Sequence, residues 1–535
     1  MDKLWNASWR QSALPELTQT EWDLIVVGGG ISGAGILREA ARQGWRCLLL
    51  EQRDFAWGTS SRSSKMVHGG LRYISQRQFG LMRDSVHERR RFLAEAPGLV
   101  DPLSFIMPHY RGAFPGRRAI GLALRLYDRM AGQRNHQYYP NHTLQYLVSG
   151  LREDGLRGGT QFFDAVTDDA RLVMRVLHEA RAEGGQALSG IRVTSLLREA
   201  NGVRGLMAED GETGESLSFR GKAVAVATGA WTDQLRQKSG DEHIRPLRGS
   251  HLLLPGWRLP VAHAVSIAHP EDRRPIFIFP WEGATVVGTT DLDHGDSLDD
   301  EARISDKEVD YLLRACAQLF PGAGINRADI VSTWSGIRPI VSSGEATLKP
   351  SKETREHMIW VEPGCVTMAG GKLTTFRLQA LEVLEKCAPM VMKPVRDTDG
   401  RVFHACAVPE IAGLPLFQRR RLAGRYGLAL PRLLSLVEQL GGDTVGATDI
   451  LWAELAFAAE AEMVLHLDDL LLRRTRLGLL LPEGGRHELP RVEQLCRDRL
   501  DWTQTRWETE EQAYLRLWER CYSVPQAAGD HGRPA

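Results

Sequence analysis

The 535-residue sequence predicts an α/β architecture in two interleaved parts, closed by a helical C-terminal region. Three observations predict it. DLIVVGGGISGAG, Asp23 to Gly35, reads as a buried strand, a glycine turn and the start of an amphipathic helix, and WRCLLLE adds a second strand, completing a βαβ unit. The stretch from His251 to Ile340 is strand-rich, with HLLLP, PIFIFPWEGATVVGTTD and VSTWSGIRPI in succession. Beyond about residue 405 the apolar residues recur at helical spacing.

The elements then fall in order along the chain. Residues 1–20 read as a polar leader. A nucleotide-binding part occupies about 21–100, 160–245 and 335–390, interleaved with a second, mixed-sheet part at about 100–160 and 245–335. A linker near Pro389–Pro409 leads to a helical domain at about 405–520, and 521–535 read as a flexible tail. Lysine plus arginine and aspartate plus glutamate both number 67, which gives no support to a nucleic-acid protein held by its overall field. Any anion must be held by local clusters. The seven cysteines are dispersed without a CxxC, as expected of reduced thiols in a cytosolic protein. No run reaches the ~18 apolar residues of a spanning helix.

The chemistry starts at the glycine turn. Gly28, Gly30 and Gly33 satisfy GxGxxG between a predicted strand and a helix, with Ile31 and Ser32 inside the motif and an acid, Glu51, closing the next strand. Glycines there let the backbone approach a pyrophosphate, the helix N-terminus faces its charge, and Glu51 accepts the ribose hydroxyls. There is one such fingerprint, so no second dinucleotide fold serves to reduce a bound flavin. Ala227-Thr228-Gly229 ends another buried strand, and GGKLTT, Gly370 to Thr375, lies far downstream. Three distant segments wrapping one cofactor fit a permanently held FAD better than an exchangeable NAD.

Between them lies SSKMVHGGLRY, Ser63 to Tyr73, cations gathered around a double glycine. Taken with GGGISGAG, TDDARL, GSH, PWEGATVVGTTD, SGIRP, TREH and GGKLTTFR, in this order, it resembles the FAD-dependent (aerobic) glycerol-3-phosphate dehydrogenase family. The resemblance runs from about Asp23 into the helical region. It implies a two-part flavoprotein fold: a Rossmann-type FAD-binding domain of the glycine/D-amino-acid oxidase type, a mixed-sheet substrate domain and a helical C-terminal domain. It implies oxidation of sn-glycerol 3-phosphate to dihydroxyacetone phosphate, with electrons passed to a membrane quinone.

Carried over residue by residue, Thr59, Ser60, Ser61, Ser64, Lys65, His68, Gly69 and Gly70 would contact FAD, joined by Thr228, Gly229, Gly371, Leu373 and Thr374. Arg72, Tyr73 and Arg355 would bind substrate, and Arg274 is a further possible contact. His251 matches the family's active-site histidine, and Arg338 or Lys372 could stabilise an alkoxide. No metal is expected: Asp293, His294 and Asp296 lack a regular ligand spacing, so a solvated loop is favoured there. From Arg111 to Arg134, six arginines alternate with Ile120, Leu122, Leu124, Leu126 and Met130. A packed amphipathic helix and a helix lying on a lipid surface both fit that pattern; the resemblance selects the second. The implied location is then cytoplasmic, peripheral on the inner face of the cell membrane, with a homodimer as a possible assembly. The leader is longer than the family pattern requires, Ser32 stands where many relatives have Asn, and the helical region, RRTRLGLLL apart, is diverged. A flavin-dependent amine or 2-hydroxy-acid oxidase of the same fold is the nearest rival, because a carboxylate also attracts arginine.

Overall fold

The structure, a computed structural model, describes residues 4–70, 79–113, 116–132, 135–236, 243–342, 357–396 and 400–525. Arg72, Tyr73, Arg355 and residues 526–535 of the expected tail lie outside them.

The first sheet grows from the run Leu24–Val27. β1 (Glu21–Val27) lies between β2 (Cys47–Leu50) and β10 (Ser216–Val226), parallel to both. β7 (Gln186–Leu188) extends the sheet beyond β2, and β18 (Cys365–Ala369) extends it beyond β10. β17 (Met358–Glu362) adds an antiparallel edge, and the hairpin of β8 (Ile191–Glu199) and β9 (Gly202–Asp210) joins through β10. Parallel strands need both faces covered. α1 (Ala7–Gln19), α2 (Ile31–Arg42), α5 (Asp169–Ala182) and α7 (Phe376–Val391) supply that cover around one continuous apolar core.

The second sheet is ten-stranded and mixed. β3 (Met66–Val67), β4 (Val100–Tyr110), β5 (His136–Pro140) and β6 (Leu156–Thr167) form one side. β11 (His243–Pro255), β12 (Ala264–Ala268), β13 (Pro275–Trp281), β14 (Ala284–Gly288), β15 (Leu292–Asp293) and β16 (Ser332–Ser342) form the other. β16 pairs with β11 from Ser332–Leu253 to Ser342–His243. The segment boundaries expected near 160 and 335 therefore fall inside second-sheet strands, and the chain rejoins the first sheet only at β17. α3 (Phe79–Glu95) and α4 (Arg117–Ala131) pack beside β4 and β6, and α6 (Asp306–Leu319) covers β11 and β14.

The expected polar leader is a helix. Asn6 caps α1 by accepting the Trp9 N–H at 2.9 Å. The Trp5 indole donates to the Ala187 carbonyl, and Arg10 clasps Asp210 at 2.7 and 3.0 Å. Its anchors are a few scattered residues and Pro15 interrupts the pattern, so no helical periodicity shows in the sequence. The C-terminal region is helical as expected: α8 (Leu416–Tyr426), α9 (Leu430–Leu440), α10 (Trp452–Ala461), a π-helical turn at Asp469–Arg474, α11 (Leu489–Cys496) and α12 (Gln504–Cys521). No described helix is long and apolar enough to cross a membrane.

Candidate active site

The two sheets meet at a cavity of about 550 Å³, within the usual range for ligand sites of ~300–1,000 Å³. Its floor is the turn that ends β1. Gly28 has φ +108°, and a Cβ there would meet the Ala227 carbonyl oxygen at 2.6 Å, so this position needs glycine. Gly33 sits so close that a Cβ would overlap the Gly28 carbonyl, which lets the start of α2 lie against the turn. Glu51 accepts the Gly29 N–H at 2.6 Å and the Arg53 N–H at 2.9 Å, and the Ile31 N–H is taken by Ser60 Oγ at 2.9 Å.

Gly28, Gly30, Ile31, Ser32, Glu51, Thr59, Ser60, Ser64, His68, Gly70, Thr228, Gly229, Gly371, Leu373 and Thr374 all line this cavity. Arg274, Arg338 and Lys372 line it too. Segments more than three hundred residues apart in sequence thus share one wall. Thr374 Oγ1 donates to the His68 carbonyl at 3.4 Å, joining the GGKLTT and HGG loops. Arg338 donates to Asp291 at 3.0 Å and to Thr289 Oγ1 at 3.3 Å, and a side chain at Gly249 would strike its guanidinium. Arg274 donates to the Asp291 carbonyl and pairs with Asp272.

Gly33 packs beneath the turn and is off the lining, and four further expected site residues stand elsewhere. Lys65 is fully buried away from the cavity, its ammonium 2.8 Å from both Asp169 and the Ser61 carbonyl. Burial, then Arg476, push its pKa down to about 8 against the pull of Asp169. Ser61 is buried with it and lies off the lining. Gly69 is backed by α4: its N–H donates to Asp164 at 3.1 Å, and a Cβ would meet Tyr127 Oη at 2.1 Å. Its role is to allow that close approach. His251 is one layer back. Its ring stacks on Trp334 at 4.8 Å, and its Nε2 is 2.9 Å from Ser64 Oγ, which is on the wall. Burial, then the nearby Arg338 and Lys65, hold the imidazole well below its ordinary pKa. Each is claimed by a partner inside the protein (Asp169, Tyr127 with Asp164, or Trp334), which a motif in sequence does not reveal.

Sequence reasoning missed Trp57 and Trp231, whose rings lie 5.7 Å apart on the cavity wall, and the apolar surface of Phe105, Met107, Phe162 and Phe277. Trp57 follows directly on the second strand's loop and Trp231 on the ATG turn, so their neighbourhoods carried the signal. Asp291 is the carboxylate that orients Arg338, and Asp293 pairs with Arg245 at 2.7 Å. No group of three metal-type ligands occurs among the described residues.

The chain is similar to known proteins along most of its length. Residues 23–377 match the FAD dependent oxidoreductase family, and 389–507 match the C-terminal domain of alpha-glycerophosphate oxidase. Glycerol-3-phosphate dehydrogenase 2 of Mycobacterium tuberculosis is 34% identical over 518 residues, covering 92% of this chain and 87% of its own. The chain belongs to the FAD-dependent glycerol-3-phosphate dehydrogenase family. A second family member, the aerobic glycerol-3-phosphate dehydrogenase of Staphylococcus epidermidis, is 32% identical and covers 86% of this chain and 87% of its own. The crystal structure of the glycerol-3-phosphate dehydrogenase from Bacillus halodurans complexed with FAD superposes with a TM-score of 0.76 at 26% identity, covering 96% of this chain and 98% of that one. FAD is the family's cofactor, and this cavity fits it. Close backbone packing at Gly28 and Gly33 keeps the turn free of side chains, and the buried atoms Thr228 Oγ1 and Trp231 Nε1 on the cavity wall have no hydrogen-bond partner among the described residues.

Proposed function

We propose that this chain oxidises sn-glycerol 3-phosphate to dihydroxyacetone phosphate. The observation that carries the reading is that Arg274, Arg338 and Lys372 line the same cavity as the glycine cradle. Bound FAD supplies the two-electron acceptor for the hydride that leaves the secondary alcohol. The turn at Gly28–Gly33 would hold its pyrophosphate and Glu51 its ribose, and Gly70, Gly371 and Leu373 on the lining would contact the flavin.

A phosphate monoester carries roughly two negative charges near neutral pH. Guanidinium groups meet its oxygens in bidentate fashion, and three cations lining one cavity favour a ligand of that charge. Arg72, Tyr73 and Arg355 complete the set in this reading. Lys372 and Arg338 stabilise negative charge on the alcohol oxygen as its proton leaves. The Ser64 hydroxyl faces the cavity and His251 stands behind it. In the Nδ1–H tautomer, His251 Nε2 accepts the Ser64 proton while Ser64 accepts the substrate's.

The reading extends to an acceptor at the membrane. On α4, Leu122 is 70% exposed and Leu126 lies one turn on, flanked by exposed Arg118, Arg125 and Arg129. Leucines set among arginines suit a headgroup plane. The buried side of the same helix places Tyr127 against Gly69, next to the cavity-lining His68 and Gly70.

The test is steady-state oxidation with an artificial acceptor across sn-glycerol 3-phosphate, glycerol, lactate and glycine. The expected kcat/KM for the phosphate ester exceeds the others at least a thousandfold. A preference for the amine or the hydroxy acid would overturn the substrate assignment.

A further inference from the structure

RRTR, Arg473 to Arg476, is the one conspicuous phrase of the C-terminal region, and nothing above uses it. The structure drives all three of its arginines into the back of the cofactor loop. They are at most 2% exposed, although guanidinium groups are seldom buried without paired carboxylates. Arg474 donates two hydrogen bonds to Asp54, at 2.6 and 2.7 Å, and Arg473 also donates to Asp54. Asp54 stands in the loop that follows β2, whose Ala56 N–H donates to the Gly29 carbonyl at 3.0 Å. Arg476 donates to Asp168 at 3.0 Å and to Asp169.

Asp169 is a hub. It accepts the Ser63 N–H at 2.9 Å, the Ser63 hydroxyl at 2.7 Å and the Lys65 ammonium at 2.8 Å. Ser63 and Lys65 flank Ser64, so the carboxylate that grips them sets how Ser64 presents its hydroxyl to the cavity and to His251. The backbone geometry of the arginine turn suits this purpose. A π-helical turn at Asp469–Arg474 carries Arg473 and Arg474, and Arg476 has φ +64°, a left-handed conformation that costs energy in any residue but glycine. Such irregularity persists where the surroundings over-determine it, and it is commoner at functional sites. A third link from the same region meets the same loop: Tyr522 Oη and Glu301 both hold Arg62, a cavity-lining residue.

We propose that the Arg473–Arg476 turn is a positioning element for the cofactor cavity: Arg474 fixes the loop after β2 through Asp54, and Arg476 fixes the Ser63–Lys65 segment through Asp169. The helical C-terminal region is then a clamp that shapes the site from behind, without touching the substrate. The inference rests on FAD occupying this cavity, and the readouts below separate the two.

The test uses full-length protein with Arg476→Gln, Arg476→Lys and Ser63→Ala. Arg421→Gln serves as comparator, because it breaks the buried pair with Glu454, 2.7 Å long, wholly inside the C-terminal region. Hydrogen exchange of the peptide covering residues 51–67 is followed in the apoprotein, and FAD release is followed by flavin fluorescence. Arg476→Gln is expected to speed exchange in 51–67 and FAD release at least tenfold each, with Arg476→Lys recovering part of both. Arg421→Gln is expected to leave both unchanged. Unaltered exchange in Arg476→Gln, or the same acceleration in Arg421→Gln, would overturn the proposal. If Arg476→Gln does not fold, Ser63→Ala decides: exchange accelerated threefold or more supports the hub, and unchanged exchange refutes it. Wild-type protein that binds no FAD would sink the cofactor reading alone, since exchange in the apoprotein reports on the loop without it.

Discussion

At Ser64 a hydroxyl on the cavity wall meets an imidazole shut off from solvent. Because burial and two neighbouring cations keep His251 neutral, its ionisation falls well below the ordinary histidine range. The pH profile of flavin reduction should therefore show no acid limb near 6.5, the unperturbed value. A limb there, abolished in His251→Asn, would mean that the imidazole is more open than its position behind Ser64 allows. Arg338 makes a second single-residue prediction. Asp291 and Thr289 orient its fork, and lysine offers one compact charge instead of two parallel donors. Arg338→Lys should cost about 2 kcal/mol of transition-state stabilisation, roughly a 30-fold drop in kcat/KM, on the scale of one lost charged hydrogen bond. A change under threefold would place Arg338 outside the reacting centre.

Two helices carry consequences that single residues do not. α1 is tied to the first sheet by Trp5 and by the buried pair of Arg10 with Asp210. Removing one partner of such a pair strands a buried charge. Arg10→Ala should thus lower the free energy of urea unfolding by about 3 kcal/mol, and no loss of stability would show that α1 is a dispensable appendage. On α4 the exposed leucines are separable from the buried face. Leu122→Glu with Leu126→Glu should abolish co-sedimentation with anionic liposomes while leaving anaerobic flavin reduction within twofold of wild type. Undiminished sedimentation would exclude this helix as the docking surface. Both helices also show what the sequence concealed. α4 announced itself by arginine and leucine at helical spacing, whereas α1 is anchored by isolated residues whose partners, Ala187 and Asp210, lie nearly two hundred positions away.

Across the whole molecule, what was legible followed from local rules. A buried strand, a glycine turn and a helix are contiguous, so the βαβ unit and its cradle could be read off directly, and the family resemblance supplied the distant segments. Facing was harder to read. Lys65 and His251 carry the right chemistry but point into protein, because Asp169 and Trp334 offer better surroundings than the cavity does. The same buried ionic framework predicts the acid response. Burial opposes the charge on Asp23, yet Lys222, Lys393 and the Arg46 N–H hold its pKa down at about 2. Asp168 and Glu462 are likewise held low against burial, by Arg476 and Arg171. Unfolded carboxylates take up protons near pH 4. The folded state then binds fewer protons below that point, so this stabilisation is complete above about pH 5 and is lost as pH falls toward 2. From this carboxylate framework the urea midpoint should decline steeply below pH 4, and a midpoint that held through pH 3 would contradict the pairing. The central claim, that the glycine cradle and the cation cluster form one oxidising site, is tested most directly by anaerobic absorbance spectroscopy of the purified protein. Bound flavin should bleach within seconds of adding sn-glycerol 3-phosphate and stay oxidised with glycerol or lactate. Flavin that remains oxidised with the phosphate ester would contradict the account.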